Sequence, residues 1–105
     1  MSEFASIQQL WTEHVSRPFP RALAGEEFDG VDLVLLDSSA AGCISTFLDS
    51  SGVHSLDARR LAVLGDCAHS LSHICPQLPD EHRVYFDKLR EISERVLGFC
   101  KRELR

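Results

Sequence analysis

The sequence predicts an all-α protein in which four helices form a bundle-like single domain over residues 1–105. Apolar residues recur at spacings of three and four in four segments, which is the pattern of helices that bury one face. Prolines and turn-forming residues separate these segments. We expect helices at about 3–15, 31–48, 56–75 and 79–103, with a long ordered loop over 16–30.

The first helix is expected to begin after Ser2, whose hydroxyl can cap it, with Glu3 in the first turn. Pro18 and Pro20 prevent its continuation. A loop of this length is uncommon in a compact domain and is often functional. The residues predicted to share the buried face of this helix are Phe4, Ile7, Trp11, His14 and Val15, and those predicted to pin the loop are Phe19, Leu23 and Phe28.

The second segment, Val31–Leu48, decides the fold, because it is strongly apolar and must run through the core. Read as a helix, it has a buried stripe of Leu33, Leu36, Ala40, Ile44 and Phe47. Its small residues, which another helix could approach closely, are Ser38, Gly42, Ser45 and Thr46. A strand over Val31–Leu36 is the alternative, but its backbone would need a pairing partner, and no other segment alternates in the required way.

The third helix is expected to start at Ser55 or Asp57 and to stop at Pro76. Pro79-Asp80-Glu81 is typical of a helix start and predicts the fourth. Short connections after residues 52 and 76 make helices two, three and four antiparallel neighbours. The predicted stripe of the third helix is Leu61, Leu64, Ala68, Leu71 and Cys75, and that of the fourth is Tyr85, Leu89, Ile92, Val96 and Cys100, widened by Phe86 and Leu97.

The charge of this chain, −5 overall, is unevenly distributed. Residues 1–58 contain nine acidic side chains and two basic ones, Arg17 and Arg21, a balance of −7, whereas residues 59–105 contain seven acidic and nine basic ones, a balance of +2. We expect no nucleic-acid partner, because acids are interleaved with the basic residues. The central segment is too short and too charged for a membrane span. Met1-Ser2-Glu3 lacks a signal-peptide pattern, so a cytoplasmic location is expected.

The four cysteines, Cys43, Cys67, Cys75 and Cys100, contain no C-x-x-C pair. We expect free, mostly buried thiols that act as small apolar side chains. A reactive cysteine is not expected, since none has an obvious basic neighbour that would lower its pKa.

Asp66, His69 and His73 form the most suggestive constellation of polar residues. Imidazoles at positions i and i+4 of a helix can share one metal ion. Asp66 and His73 are about 10 Å apart along the axis, so at least one further ligand would come from another helix or subunit. The alternative is a solvated polar face opposite the buried stripe of the third helix.

His14 and Asp37 are two further candidates. His14, on the apolar face of the first helix, is either a base or ligand in a pocket closed by the Phe19 loop, or a packed histidine near a helix C-terminus that is hydrogen-bonded to a carbonyl and stabilised by the helix dipole. Asp37 lies in an apolar run, so it must be paired or have a raised pKa. It is either an acid or base, or a partner in an ion pair with an arginine of residues 59–95.

The runs PFP at 18–20, LAGEEFDGVDLVLLD at 23–37 and AGC at 41–43 resemble a group of small uncharacterised bacterial proteins of unassigned function. LAVLG at 61–65 and YFDKLREI at 85–92 fit the same pattern, so the resemblance spans nearly the whole chain. It implies a single-domain bacterial protein and carries over no functional residues.

The sequence contains no recognised catalytic or cofactor signature, and no catalytic residue or cofactor is assigned. We therefore expect a non-enzymatic protein that binds another protein or itself. Self-association would use the small face Ser38/Gly42/Ser45, or apolar residues that fall off the core stripes, namely Val63, Val84 and Phe99. The alternative is a metal- or small-ligand-binding protein that uses His69 and His73, or His14. A third hypothesis, an enzyme, would require Asp37 and His14 to meet in a cleft.

Overall fold

The computed structural model describes residues 2–49 and 55–103, and within them the predicted all-α fold is confirmed. Helix α1 spans Glu3–Val15, α2 spans Leu33–Leu48, α3 spans Ala58–Ile74 and α4 spans Asp80–Glu103. Short 3-10 turns lie at Arg21–Leu23 and Cys75–Gln77. The predicted connection around residue 52 falls outside the described residues.

Three helices begin at a polar side chain that accepts backbone N–H groups. Ser2 accepts the N–H of Ala5 in α1, as predicted. Asp57, one of the two expected caps, accepts the N–H of Arg60 in α3. Asp32 accepts the N–H groups of Val34 and Leu35 in α2, and this cap was not predicted.

The expected start of α2 at Val31 is wrong, because Val31–Asp32 is a short strand, β2. It pairs antiparallel with β1, Glu27–Phe28, so the strand alternative was right for its first two residues. Asp29 and Gly30 form the two-residue turn, both with positive φ, of 53° and 79°. Such a turn matches the twist of a hairpin and favours Asp-Gly. The hairpin brings the loop back to the start of α2.

The four helices run alternately up and down, as contacts between their ends require. The ion pair of Glu3 with Arg102 makes α1 antiparallel to α4. The thiol of Cys43 reaches the carbonyl of Arg60 at 3.6 Å, which makes α2 antiparallel to α3. Helix α4 packs against each of the other three, and it runs parallel to α2.

The predicted stripes supply the core almost completely, and the stripe of α2 is buried at every position. The prediction that Val15 lies on the buried face of α1 is wrong, because Val15 is 57 % exposed at the end of that helix. Phe99 is not a surplus surface residue either, since it is half-buried with its ring centroid 5.4 Å from that of Phe47. The fully buried side chains that dominate the core are Ile7, Leu33, Ile44, Phe47, Leu64, Leu71, Phe86, Leu89, Ile92 and Val96.

Candidate functional site

Tyr85 brings together the two candidates of the enzyme hypothesis, His14 and Asp37. Its hydroxyl donates a hydrogen bond of 2.7 Å to Asp37 Oδ1, and its ring centroid lies 4.5 Å from that of His14. The expected ion pair between Asp37 and an arginine of residues 59–95 is not found among the described residues. The partner of Asp37 is instead Tyr85, because the Tyr85 hydroxyl group satisfies the Asp37 carboxylate without the burial of a positive charge.

His14 is only 4 % exposed and packs between Trp11 and Tyr85. Its Nδ1 atom is buried without a hydrogen-bond partner among the described residues. Burial lowers the pKa of His14 below 6.5, and Arg17 adds to this effect while Asp37 opposes it. The imidazole is therefore neutral at pH 7. His14 is packed, as the second interpretation expected, but its Nδ1 has no carbonyl partner among the described residues and its pKa is lowered.

Tyr85 is held as a neutral hydrogen-bond donor. Burial raises its pKa, and the hydrogen bond to the Asp37 carboxylate raises it further, because ionisation would leave two negative charges in contact. A phenol that keeps its proton at neutral pH is a poor base. The arrangement of His14, Tyr85 and Asp37 therefore links α1, α4 and α2 and offers no activated nucleophile.

The loop over residues 16–30 lines an open cavity of about 480 Å³ beside this cluster. One wall is formed by residues 17–21, and the other by the first turns of α4, including His82, Val84 and Tyr85. The rings of Phe19 and Tyr85 meet edge-on with centroids 5.6 Å apart. Arg17 and Arg21 stand exposed at the cavity, so it combines apolar walls with positive charge.

A second surface lies along α2 and α3. Its exposed residues, here called the α2–α3 face, are Val34, Leu35, Ser38, Ser39, Gly42 and Thr46 of α2 with Arg59, Arg60, Val63 and Asp66 of α3. A groove between the two helices runs from Asp66 to Arg59, in two depressions that adjoin at Ser39. Leu35 is 67 % exposed, the most exposed large apolar side chain in the described part of the chain.

Among the described residues, no helix covers Ser38, Gly42 and Thr46 of α2, although the sequence indicated that another helix could approach these small residues closely. Within residues 2–49 and 55–103, a Cβ atom added at Gly42 would meet nothing within 4 Å. Ser38 and Thr46 are exposed as well. Helices α3 and α4 pack mainly on the larger-residue side of α2, because that side carries the apolar area whose burial stabilises the bundle.

Asp66, His69 and His73 are all exposed, as their position opposite the buried stripe of α3 predicted. The two imidazole rings have centroids 4.6 Å apart. Within residues 2–49 and 55–103, no group of three or more His, Cys, Asp or Glu side chains is arranged to hold a metal ion. The structure therefore offers two imidazoles side by side and no third protein ligand in that part of the chain.

The four cysteines are free and buried, as expected. Burial raises the pKa of the Cys67 thiol to about 11 and that of Cys75 to about 12. It also raises the pKa values of Cys43 and Cys100. These thiols are therefore protonated at neutral pH and are poor nucleophiles.

Compared with known proteins, the chain matches no family model, no curated protein and no solved structure. The resemblance to small bacterial proteins stays a prediction. In the described residues, no helix is long and apolar enough to cross a membrane.

The sequence offered a pocket at the Phe19 loop only as a place for His14, and it predicted neither that Arg17 and Arg21 line the cavity there nor the central position of Tyr85. The sequence contained one usable signal for the cavity, because the two basic residues of the first 58 flank the same Pro-Phe-Pro run. Nothing comparable marked Tyr85, which the helical pattern assigned to the apolar seam of α4.

Proposed function

We propose that this protein functions through a protein–protein interaction, and that its binding partner is a second copy of the same chain. The two copies would contact each other through the α2–α3 face. The observation that carries this proposal is the absence of charge along the exposed side of α2, in the described residues of a protein whose net charge is −5. Two such faces can meet without electrostatic repulsion, and the centre of protein interfaces is depleted of charged residues.

The charges at the two ends of the α2–α3 face support a second copy rather than an unrelated protein. Arg59 lies at one end of the groove, and Asp66 lies seven residues further along α3, about 10 Å away on a straight helix. A twofold axis near Val63 would place Arg59 of each copy opposite Asp66 of the other. Contacts of a twofold dimer are reciprocal in this way, so the face is complementary to itself.

Apolar side chains on the same face would supply the contact area. Leu35 and Val34 lie near the start of α2, and Val63 lies in the groove beside Gly42. Helix α2 has 16 residues, so it is about 24 Å long, and a second helix beside it widens the face to about 20 Å. An area of about 500 Å² per copy is at the low end for specific interfaces, and we expect a reversible dimer with micromolar affinity.

Sedimentation velocity of the wild type and three variants tests this proposal. Gly42→Arg places charge at the centre of the face in open space, and Leu35→Glu replaces its most exposed apolar side chain. Val15→Glu is the matched control, because Val15 is an exposed apolar residue on α1, outside the face. We expect the first two variants to be monomers at concentrations where the wild type and Val15→Glu form dimers.

A wild type that remains monomeric over the full micromolar range would refute this proposal. Equal dimer formation by all four proteins would refute the surface while leaving self-association in place. The cytoplasmic location belongs to the same proposal, and the four free thiols support it, because a reducing compartment keeps cysteines unpaired.

His69 and His73 support a second candidate function, the binding of a transition-metal ion. Their rings are adjacent and exposed, and imidazole nitrogen suits Zn²⁺, Cu²⁺ and Ni²⁺. Two imidazoles would leave the other positions of the ion to water, so binding would be weak. Titration with Cu²⁺ followed by calorimetry tests this, with His73→Ala expected to lose binding and His82→Ala to keep it; unchanged affinity in His73→Ala would refute it.

A further inference from the structure

The cavity between the Pro-Phe-Pro loop and α4 is distinct from the α2–α3 face and collects positive charge in the acidic half of the chain. Residues 1–58 have two basic side chains, Arg17 and Arg21, and both line this cavity. Pro18 and Pro20 restrict the backbone between them, because the proline ring fixes φ. Arg17 and Arg21 therefore flank a stiff segment of chain and line the same cavity.

Neither arginine is engaged in an ion pair among the described residues, and both are exposed. The arginines of α4 differ in this respect, since Arg90 pairs with Glu94 at 2.9 Å and Arg95 with Glu91 at 3.2 Å. Glu81 is the acidic residue at the cavity, and its carboxylate lies 3.4 Å from His82 Nε2. The hydrogen-bonding capacity of Arg17 and Arg21 is thus available to a ligand.

Arg83, which lines another depression near Cys75, is an arginine whose hydrogen-bonding groups are already used within the protein. Arg83 there donates to the carbonyl of Cys75 at 3.1 Å and to that of Leu78 at 2.9 Å, and it also pairs with Asp80. These bonds fix the end of α3 and leave little of the guanidinium for a ligand. In the described residues, Arg17 and Arg21 make no such hydrogen bonds or ion pairs with the protein.

The walls of the cavity are apolar and aromatic. Phe19 and Tyr85 supply ring surface, and Val84 is 47 % exposed there. The volume of about 480 Å³ lies within the range of small-molecule sites, which are mostly apolar with a few placed polar groups. Guanidinium groups bind a planar carboxylate through two parallel hydrogen bonds.

We infer that this cavity binds a small organic carboxylate with an aromatic body, which Arg17 and Arg21 hold at the carboxylate while Phe19, Val84 and Tyr85 contact the ring. The local positive charge attracts the anion although the protein as a whole is negative. The site is formed by one copy of the chain, so it does not depend on self-association.

Titration of the ¹⁵N-labelled protein with three probes tests the inference by chemical-shift changes. Phenylacetate carries both features, phenylacetamide lacks the charge, and inorganic phosphate lacks the ring. We expect phenylacetate to bind at millimolar concentrations with shifts centred on residues 17–21 and 82–85, and about tenfold more tightly than either other probe.

Variants separate this site from general attraction of anions. Arg17→Gln and Arg21→Gln should each weaken phenylacetate binding about tenfold, because each removes charge-assisted hydrogen bonds. Arg95→Gln is the matched control, an exposed arginine of α4 outside both the cavity and the α2–α3 face, and should leave affinity unchanged. Val84→Glu places a carboxylate at an exposed position of the wall and should weaken binding without disturbing the core.

Equal affinity for phenylacetate and phenylacetamide would overturn the role of the arginines. Equal affinity for phenylacetate and phosphate would overturn the role of the aromatic wall. Shifts spread over the surface, or unchanged affinity in both Arg17→Gln and Arg21→Gln, would overturn the site itself.

Discussion

The hydroxyl of Tyr85 donates to Asp37 Oδ1 at 2.7 Å, which joins α4 to α2 between residues 48 positions apart in the chain. Tyr85 also forms part of the wall of the Arg17/Arg21 cavity, and Asp37 lies on the helix that carries the α2–α3 face. This hydrogen bond therefore joins a residue that lines the cavity to the helix that carries the α2–α3 face.

Replacement of Tyr85 by Phe removes this hydrogen bond and leaves a half-buried carboxylate without its partner. We expect the free energy of unfolding to fall by about 1–3 kcal/mol, as for a hydrogen bond to a charged group. Asp37→Asn keeps an acceptor for the hydroxyl and should cost less. Urea denaturation of both variants measures this, and an unchanged stability of Tyr85→Phe would show that water replaces the hydroxyl at no cost.

Stability should depend on pH through His14. Burial lowers the pKa of His14, so the unfolded chain, with a pKa of 6.5, takes up a proton more readily than the folded one. The stability that neutral His14 contributes is fully present above pH 6.5, and it is lost as the pH falls through the pKa of His14 in the folded protein. We expect the wild type to lose more stability than His14→Phe between about pH 7.5 and about pH 5. Parallel pH profiles of the two proteins would contradict this origin.

Two glycines should respond to alanine in opposite directions. Gly30 has a φ of 79°, which strains any residue with a Cβ, and Gly30→Ala should destabilise the protein by about 1 kcal/mol. Gly42 is helical and has open space around it, so Gly42→Ala should stabilise the protein by about 0.5–1 kcal/mol. Thermal unfolding measures both, and a stabilising Gly30→Ala would argue against the hairpin turn.

The cysteines should be unreactive in the folded protein. Because burial raises the pKa of Cys67 to about 11 and that of Cys75 to about 12, few thiolates exist at neutral pH. We expect slow reaction of the native protein with Ellman's reagent and rapid reaction of all four thiols in urea. Fast labelling of the native protein would show that the bundle opens locally.

The parts of the fold that follow from local periodicity were predictable. The stripe Leu33–Phe47 has a spacing that only a helix can bury on one side, and its burial is complete. The hairpin was missed because two-residue strands have too little alternation to notice. Asp29-Gly30 was its signal, since this dipeptide favours the positive φ values of a tight turn.

The polar centre of the protein could not be predicted in the same way. His14, Asp37 and Tyr85 come from three helices, and their contact depends on the rotation of each helix in the bundle. Periodicity placed Tyr85 in the apolar seam of α4, which is correct for its ring. The pattern does not predict which group the Tyr85 hydroxyl contacts. The choice of Tyr85 over an arginine as the partner of Asp37 depends on packing that the sequence does not specify.

Exchange of the charges at the two ends of the α2–α3 face tests the proposed self-association most directly. Arg59→Glu and Asp66→Arg should each weaken dimer formation about tenfold in sedimentation equilibrium, because each opposes like charges twice in a twofold dimer. The double variant restores both reciprocal pairs and should dimerise like the wild type. A double variant that is as monomeric as the single ones, or single variants that dimerise like the wild type, would contradict the account.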